Sequence, residues 1–204
     1  MILLLVRHGE TESNRQGLAL GRADVPLNER GRWQAGRLAE ALAGELLSTV
    51  YSSPLLRTLH TAEAIAEKHG LPVQIEPRLI EMDIGEADGM TFAEVRTRFP
   101  GLLEAWVGPD GPERPMPGGE RLLDVQGRAW KTVQHLASVH PEQSVCVVSH
   151  NFVILSILAS ALGIDLAHFR RLRHSVAAVS VLDIRADRAR LQRLNDTCHL
   201  EDEG

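Results

Sequence analysis

Two short apolar, β-branched runs each end on a histidine, and this feature narrows the possible folds more than any other. Ile2-Leu3-Leu4-Leu5-Val6 leads into Arg7-His8-Gly9-Glu10-Thr11, and Val145-Cys146-Val147-Val148 leads into Ser149-His150-Asn151. Continuous apolar runs closed by polar residues or glycine read as strands buried on both faces, the situation of a parallel sheet. Parallel strands need crossover helices, and the intervening chain carries helical periodicity. A helix is predicted over about residues 29–44, capped by Asn28, with Ala35, Leu38, Ala39 and Leu42 as its apolar stripe. Residues 46–51 read as a strand. A second helix is predicted to start at Ser53-Pro54, serine as cap and proline in the first turn, with Gly70 and Pro72 ending it.

Further along, residues 73–75 look like a short edge strand, and Thr91 to Glu94 form a capping box opening a small helix. Residues 108–119 hold four prolines in 12 residues, and so long a loop is unusual unless it borders a site. Helices follow over about 120–139 and 152–162, then strands over about 176–184 and 189–194, pairing as a hairpin around Ala186-Asp187. The βαβα order predicts an α/β fold, a three-layer α/β/α sandwich whose central sheet is mostly parallel. At 204 residues the chain fits one domain, 1–204, with residues 77–119 as a cap-like excursion from the sheet.

A net charge of −5 argues against nucleic acid or an anionic membrane as partner, but not against a small anion in a locally positive pocket. The N-terminal apolar run is too short, and lacks the basic lead, to be a signal peptide. Residues 152–162 are too few to span a bilayer. Two cysteines without a Cys-x-x-Cys pattern fit a reducing cytoplasm.

In open α/β sheets ligands bind outside the carboxyl ends of the strands, where both histidines fall. Arg7 beside His8 offers a planar guanidinium to the oxygens of a phosphoryl group, and Gly9 allows close backbone approach. Arg57, in the segment Ser53-Pro54-Leu55-Leu56-Arg57-Thr58, falls in a first helical turn, where the dipole favours anions. His60, one turn on, reads as structural or surface. Residues 81–89 supply Glu81, Asp83, Glu86 and Asp88, and spacing alone does not choose among them as a general acid.

Together these blocks, in this order, resemble the histidine phosphatase superfamily in its phosphoglycerate-mutase-like branch. The opening R-H-G-E-T…N, then G-R-A-D-V-P-L-N-E-R-G-R-W-Q-A, S-S-P-L-L-R-T-L-H-T-A, L-I-E-M-D-I-G, P-G-G-E and V-S-H carry the likeness over nearly the whole chain. The resemblance implies that His8 is the nucleophile that becomes phosphorylated. It implies a phosphate pocket of Arg7, Arg57 and His150, assisted by Asn14, Gly21 and Asn151, and Glu81 as proton donor and then base. Two guanidinium groups and a second imidazole would keep His8 neutral. No metal or cofactor is called for, since these groups supply the positive charge.

The substrate class implied is a small phosphorylated metabolite, hydrolysed. A mutase is the alternative, disfavoured because the F-T-G-W and E-R-x-Y-G blocks of mutase relatives are absent. A catalytically inactive phospho-ligand binding module is another, and a metallohydrolase ranks last because no H-E-x-x-H, H-x-H or D-x-D occurs. Asp88, Ser13 and Asn151 depart from the common family pattern and are expected at the substrate rim. Leu20, Arg22, Met82, Met90, Trp106 and His174 are further rim candidates. The Cys198-His199-Leu200 segment resembles the ending of several relatives, and a homodimer through an edge strand is plausible.

Overall fold

The computed structural model describes residues 1–185 and 188–201. Six strands, β1 (Ile2–Arg7), β2 (Leu47–Ser52), β3 (Val73–Ile75), β4 (Ser144–Ser149), β5 (Val179–Arg185) and β6 (Arg188–Asp196), form one sheet in the order β3-β2-β4-β1-β5-β6. Strands β3, β2, β4 and β1 run parallel, while β5 and β6 are antiparallel to their neighbours. Seven α-helices accompany them: α1 (Glu12–Gln16), α2 (Glu29–Leu42), α3 (Leu56–His69), α4 (Phe92–Arg98), α5 (Leu102–Trp106), α6 (Leu122–Val139) and α7 (Asn151–Leu162).

Successive side chains of a strand point to opposite faces, so the two apolar runs feed two cores at once. Leu4, Val6, Cys146 and Val148 pack with Leu38 and Leu42 of α2 and Ala62 and Ile65 of α3. Leu3, Leu5, Val145 and Val147 pack on the other side against α6 and α7. This is the three-layer α/β/α sandwich the sequence predicts. Full burial of Leu3, Leu4 and Leu5 is worth about 1.5–3 kcal/mol each in transfer free energy. No helix among the described residues is long and apolar enough to cross a membrane.

The topology positions the site. From β1 the chain crosses over β4 to reach β2, and from β4 it crosses β1 in the other direction to reach β5. Two neighbouring strands whose connections leave in opposite directions open a crevice at their carboxyl ends. His8 follows β1 there, and His150 follows β4.

Several elements differ from expectation. Helix α3 begins at Leu56 with Leu55 as its uncapped N-cap residue, so Ser53 caps no helix. Its hydroxyl is engaged by His150 instead, a tertiary bond that local reading does not see. Helix α6 starts at Leu122, because Glu120 is drawn into an ion-pair network described below. Helices α1 and α5 were not anticipated, both being of 5 residues. Strands β5 and β6 pair as expected, from Arg185 opposite Arg188, and the Ala186-Asp187 turn lies outside the described residues.

Between β3 and α6 the chain forms no strand, only α4, α5 and three 3₁₀ turns. One of these begins at Gly85, whose φ of 53° and contact with the Pro117 carbonyl leave no room for a Cβ.

Candidate active site

His8 is held from four directions. Its backbone N–H donates to Ser149 O (3.2 Å), and its carbonyl accepts from Ala177 N (3.0 Å). The next residue, Gly9, donates to Thr61 Oγ1 on α3 (3.1 Å), and a Cβ on Gly9 would lie 2.5 Å from Gly31 O of α2. Helix α2 is tied to the same loop, since Gln34 Oε1 accepts from Glu10 N (2.8 Å) and Asn28 Nδ2 donates to Glu10 Oε1 (2.8 Å). The G-R-A-D-V-P-L-N-E-R-G-R-W-Q-A block is therefore the scaffold of the His8 loop. The ring's Nδ1 stands 2.7 Å from Gly9 O, an acceptor only, so Nδ1 carries the proton and Nε2 keeps its lone pair. Burial, then Arg57, then Arg7 drive the His8 pKa well below the usual imidazole value, so the ring is neutral at pH 7.

Of the other predicted phosphate ligands, Arg7, Asn14 and Asn151 line the pocket with His8, while His150 and Arg57 lie near its ring but not in the pocket lining. The His150 ring centroid lies 5.3 Å from that of His8, with planes inclined by 60°. His150 Nε2 is 2.7 Å from Ser53 Oγ. Ser53 Oγ accepts from Leu55 N (3.4 Å), and we assign its hydroxyl proton to Nε2, which places the His150 proton on Nδ1. Arg57, fully buried, donates from its two Nη atoms to Ala23 O (2.8 Å) and Gly21 O (2.7 Å). Those carbonyls are fixed in turn by Asp88, whose carboxylate accepts from Gly21 N (3.0 Å) and Ala23 N (2.8 Å). Arg7 donates to His174 O (2.6 Å) and Asn151 Oδ1 (3.2 Å). Its pKa, lowered to about 10 mainly by burial, still leaves it charged at neutral pH.

After these bonds, Arg7 Nε, Arg57 Nε and His150 Nδ1 are buried donors with no partner among the described residues. Buried polar atoms are nearly always paired, and three unpaired donors beside a neutral imidazole describe an oxyanion site. Asn14 also lines the pocket; its Oδ1 is occupied by Thr11 N (3.1 Å), which leaves its NH₂ as a further donor. Gly21 does not line the pocket; both its backbone groups are engaged, so its part is to hold Arg57.

The four carboxylates that spacing left open separate by environment. Glu86 is exposed and paired with Arg98, Asp83 meets Arg22 and Gly85 N, and Asp88 clamps the Gly21–Ala23 loop behind Arg57 rather than lying at a rim. Glu81 alone of the four is buried in the pocket wall beside His8. Its carboxylate accepts from Met82 N (2.8 Å) and, at the start of α7, Phe152 N (3.3 Å). Burial raises its pKa above the usual carboxylate value, against those two N–H bonds and the nearby Arg57 and Arg7 charges.

A support for Glu81 has no counterpart in the sequence reading. Arg22 Nε (3.2 Å) and Arg128 Nη2 (3.1 Å) both donate to the Glu81 carbonyl. Glu120, the acid of P-G-G-E, accepts from Arg22, Arg128 and Asp83 N at 2.9–3.2 Å. Fifty residues separate Arg128 from Arg78, whose carbonyl it also meets, and nothing in a helical arginine advertises such a role.

The remaining rim candidates divide. Leu20 and Trp106 line the pocket, a cavity of about 200 Å³. Met82 is in the core, Met90 packs against it, and Arg22 belongs to the Glu120 network. His60 is exposed. The Cys198–Leu200 turn packs on α2, where Arg37 donates to His199 O (3.0 Å), and the His199 ring lies 2.9 Å from the carbonyl of Ala177, the residue whose N–H supports His8 O.

His174 is buried, neither ring nitrogen has a partner among the described residues, and burial with Arg7 pushes its pKa from 6.5 to about 3. Its folded value is depressed, so below about pH 6.5 the unfolded chain takes up a proton that the folded chain refuses until about pH 3. Stability is full above that window and falls within it as pH is lowered, by about 1.4 kcal/mol per unit for one such group. His8 and His150 act in the same direction, while Glu81, with its raised pKa, opposes them above its usual value. In His174→Gln the slope of unfolding free energy against pH, from urea titrations between pH 4 and 6.5, is expected to lose about one proton. An unchanged slope would mean that the ring titrates normally.

Residues 3–197 match the model of the histidine phosphatase superfamily (branch 1). Phosphoserine phosphatase 1 of Hydrogenobacter thermophilus is 39% identical over 199 residues, 97% of this chain and 93% of that protein. Bacillus stearothermophilus YhfR superposes with a TM-score of 0.91 at 31% identity, covering 98% of this chain and 99% of that one. A mycobacterial glucosyl-3-phosphoglycerate phosphatase in complex with VO3 superposes with a TM-score of 0.88 at 31% identity, covering 96% and 99%. The chain belongs to branch 1 of the histidine phosphatase superfamily.

Proposed function

We propose that this chain hydrolyses phosphomonoesters of small metabolites through a phosphohistidine at His8. The observation that carries this reading is the set of three buried, unpaired donors around a neutral imidazole with a free Nε2. A structural relative holds VO3, an oxyanion of the same kind. Nε2 attacks phosphorus while the bond from phosphorus to the ester oxygen breaks, and Glu81 gives its proton to the departing alkoxide. Arg7, Arg57 and His150 stabilise the charge on the three peripheral oxygens, assisted by the amides of Asn14 and Asn151. Glu81, now ionised, takes a proton from water as that oxygen attacks phosphorus, and the pair in the N–P bond returns to Nε2. Residues 77–119 act as a cap, since α4 and α5 wall the pocket.

The test is to incubate the protein with phosphomonoesters, 3-phosphoglycerate among them, in the presence of chelator. Released inorganic phosphate is expected, together with an acid-labile, alkali-stable phosphoprotein on rapid quench. Conversion of 3-phosphoglycerate to 2-phosphoglycerate without release would make it a mutase, and binding without turnover would make it a phospho-ligand module. We place the protein in the reducing cytoplasm, with both cysteines free. In a homodimer the short β3 is the better edge, since β6 gathers Arg188, Arg190 and Arg193.

A further inference from the structure

The pocket says something about the alcohol as well as the phosphoryl group. Beyond His8 it continues into a throat walled by Leu20, Ile84, Phe92, Leu103, Trp106 and Phe152. Among the described residues, charged side chains line the pocket only at the phosphoryl end, where Arg7 and Glu81 stand. An alcohol bearing a carboxylate needs a cation deeper in the throat, and one bearing an ammonium group needs an acid there.

The two side chains best placed by sequence to supply the cation are otherwise committed. Arg22 is folded onto Glu81 O, Asp83 and Glu120. The His174 ring is buried outside the pocket lining, and only its carbonyl reaches the site, as an acceptor for Arg7. The amide oxygens of Asn14 and Asn151 are taken by Thr11 and Arg7. An outer hollow shares Phe92 and Leu103 with the throat and carries Arg96 and Arg170, together with Glu104. Arg170 is stacked there, 5.6 Å from the Trp106 ring centroid and 5.8 Å from that of Phe169. Both arginines belong to the outer hollow and neither lines the throat, so a charged group inside the throat meets no cation among the described residues, and stripping its water costs far more than an apolar wall returns.

Resting on the hydrolase reading above, we propose that this site takes monoesters of apolar alcohols, medium-chain alkyl or single-ring aryl phosphates. Esters whose alcohol carries a carboxylate or ammonium group, phosphoserine among them, are the poor substrates, although a relative 39% identical bears that name. Each methylene moved from water into the throat multiplies kcat/KM by roughly fourfold.

The experiment compares kcat/KM for ethyl, butyl and hexyl phosphate with that for phosphoserine. All four leave as primary alkoxides, and serine's is the least basic, which biases the comparison against the proposal. A rise of about 250-fold from ethyl to hexyl phosphate is expected, with phosphoserine about 100-fold below hexyl phosphate. A flat alkyl series, or phosphoserine equal to hexyl phosphate, overturns the proposal and leaves the hydrolase reading intact. Calorimetric binding of ethyl- and hexylphosphonate repeats the ladder without turnover, so a protein that hydrolyses nothing still tests the throat. There, a tighter hexyl analogue supports the proposal and equal affinities overturn it. Phe92, more than half exposed and at the start of α4, can be shortened without opening the core. Phe92→Ala is expected to cut the hexyl-to-ethyl ratio at least threefold, and an unchanged ratio counts against the proposal.

Discussion

Substitution of His8 by alanine is expected to lower kcat by roughly 10⁴- to 10⁶-fold, the range seen when a covalent nucleophile is removed from an otherwise intact site. The reasoning is geometric. Arg7, Arg57 and His150 remain to bind the phosphoryl group, because none of them bonds to the His8 ring. Substrate affinity should therefore change little while the chemical step loses its covalent route. Among the described residues the ring's one hydrogen bond is to Gly9 O, so the cost to the fold is a small cavity and a freed carbonyl. Rapid-quench labelling gives the sharper readout: the variant should carry no phosphohistidine at any time point. A labelled phosphoprotein in His8→Ala would assign the nucleophile elsewhere and end the mechanism.

How far this could be read without coordinates depends on what each residue answers to. Strands β1 and β4 were legible because burial on both faces demands uninterrupted apolar runs, and theirs are short enough to be strands and too short for a buried helix. The helices α2 and α7 announced themselves through a stripe and an all-apolar run. The start of α3 misled because Ser53-Pro54 satisfies the local capping rule, while the hydroxyl answers to His150, 97 residues away. The site followed the same division. His8, Arg7 and His150 sit at strand ends and can be placed by topology, but Glu81 could not be separated from its acidic neighbours until burial did so. Arg22 and His174 were rim candidates whose plainer reading, as packing or surface residues, is the one the structure favours. Adjacency in sequence to a site segment says nothing about whether packing turns a side chain toward the ligand or away from it. The Arg22–Glu120–Arg128 network behind Glu81 rests wholly on such long-range contacts, and no local pattern encodes it.

The Glu81→Gln variant should show an effect that depends on the leaving group. Glutamine keeps the side chain's length, and its amide oxygen can still accept from Met82 N or Phe152 N, so the carbonyl network beneath it is undisturbed. What it cannot do is release a proton. Expulsion of an alkoxide then proceeds without an acid, and for alkyl phosphates kcat is expected to fall by about 10²- to 10⁴-fold. For 4-nitrophenyl phosphate, whose leaving group is stable as an anion, phosphorylation of His8 should be spared. Only the attack of water on the phosphohistidine then loses its base, so labelled phosphoenzyme should accumulate to a larger steady-state fraction than in the unsubstituted protein. The alkaline limb of the pH profile adds a second check. Glu81 must hold its proton to act as acid, and burial holds its pKa above the ordinary carboxylate value, so the fall in kcat/KM for alkyl esters as pH rises through its deprotonation should disappear with the carboxyl group. If instead kcat falls equally for alkyl and aryl esters and no phosphoenzyme builds up, Glu81 serves to shape the pocket and the proton comes from another group.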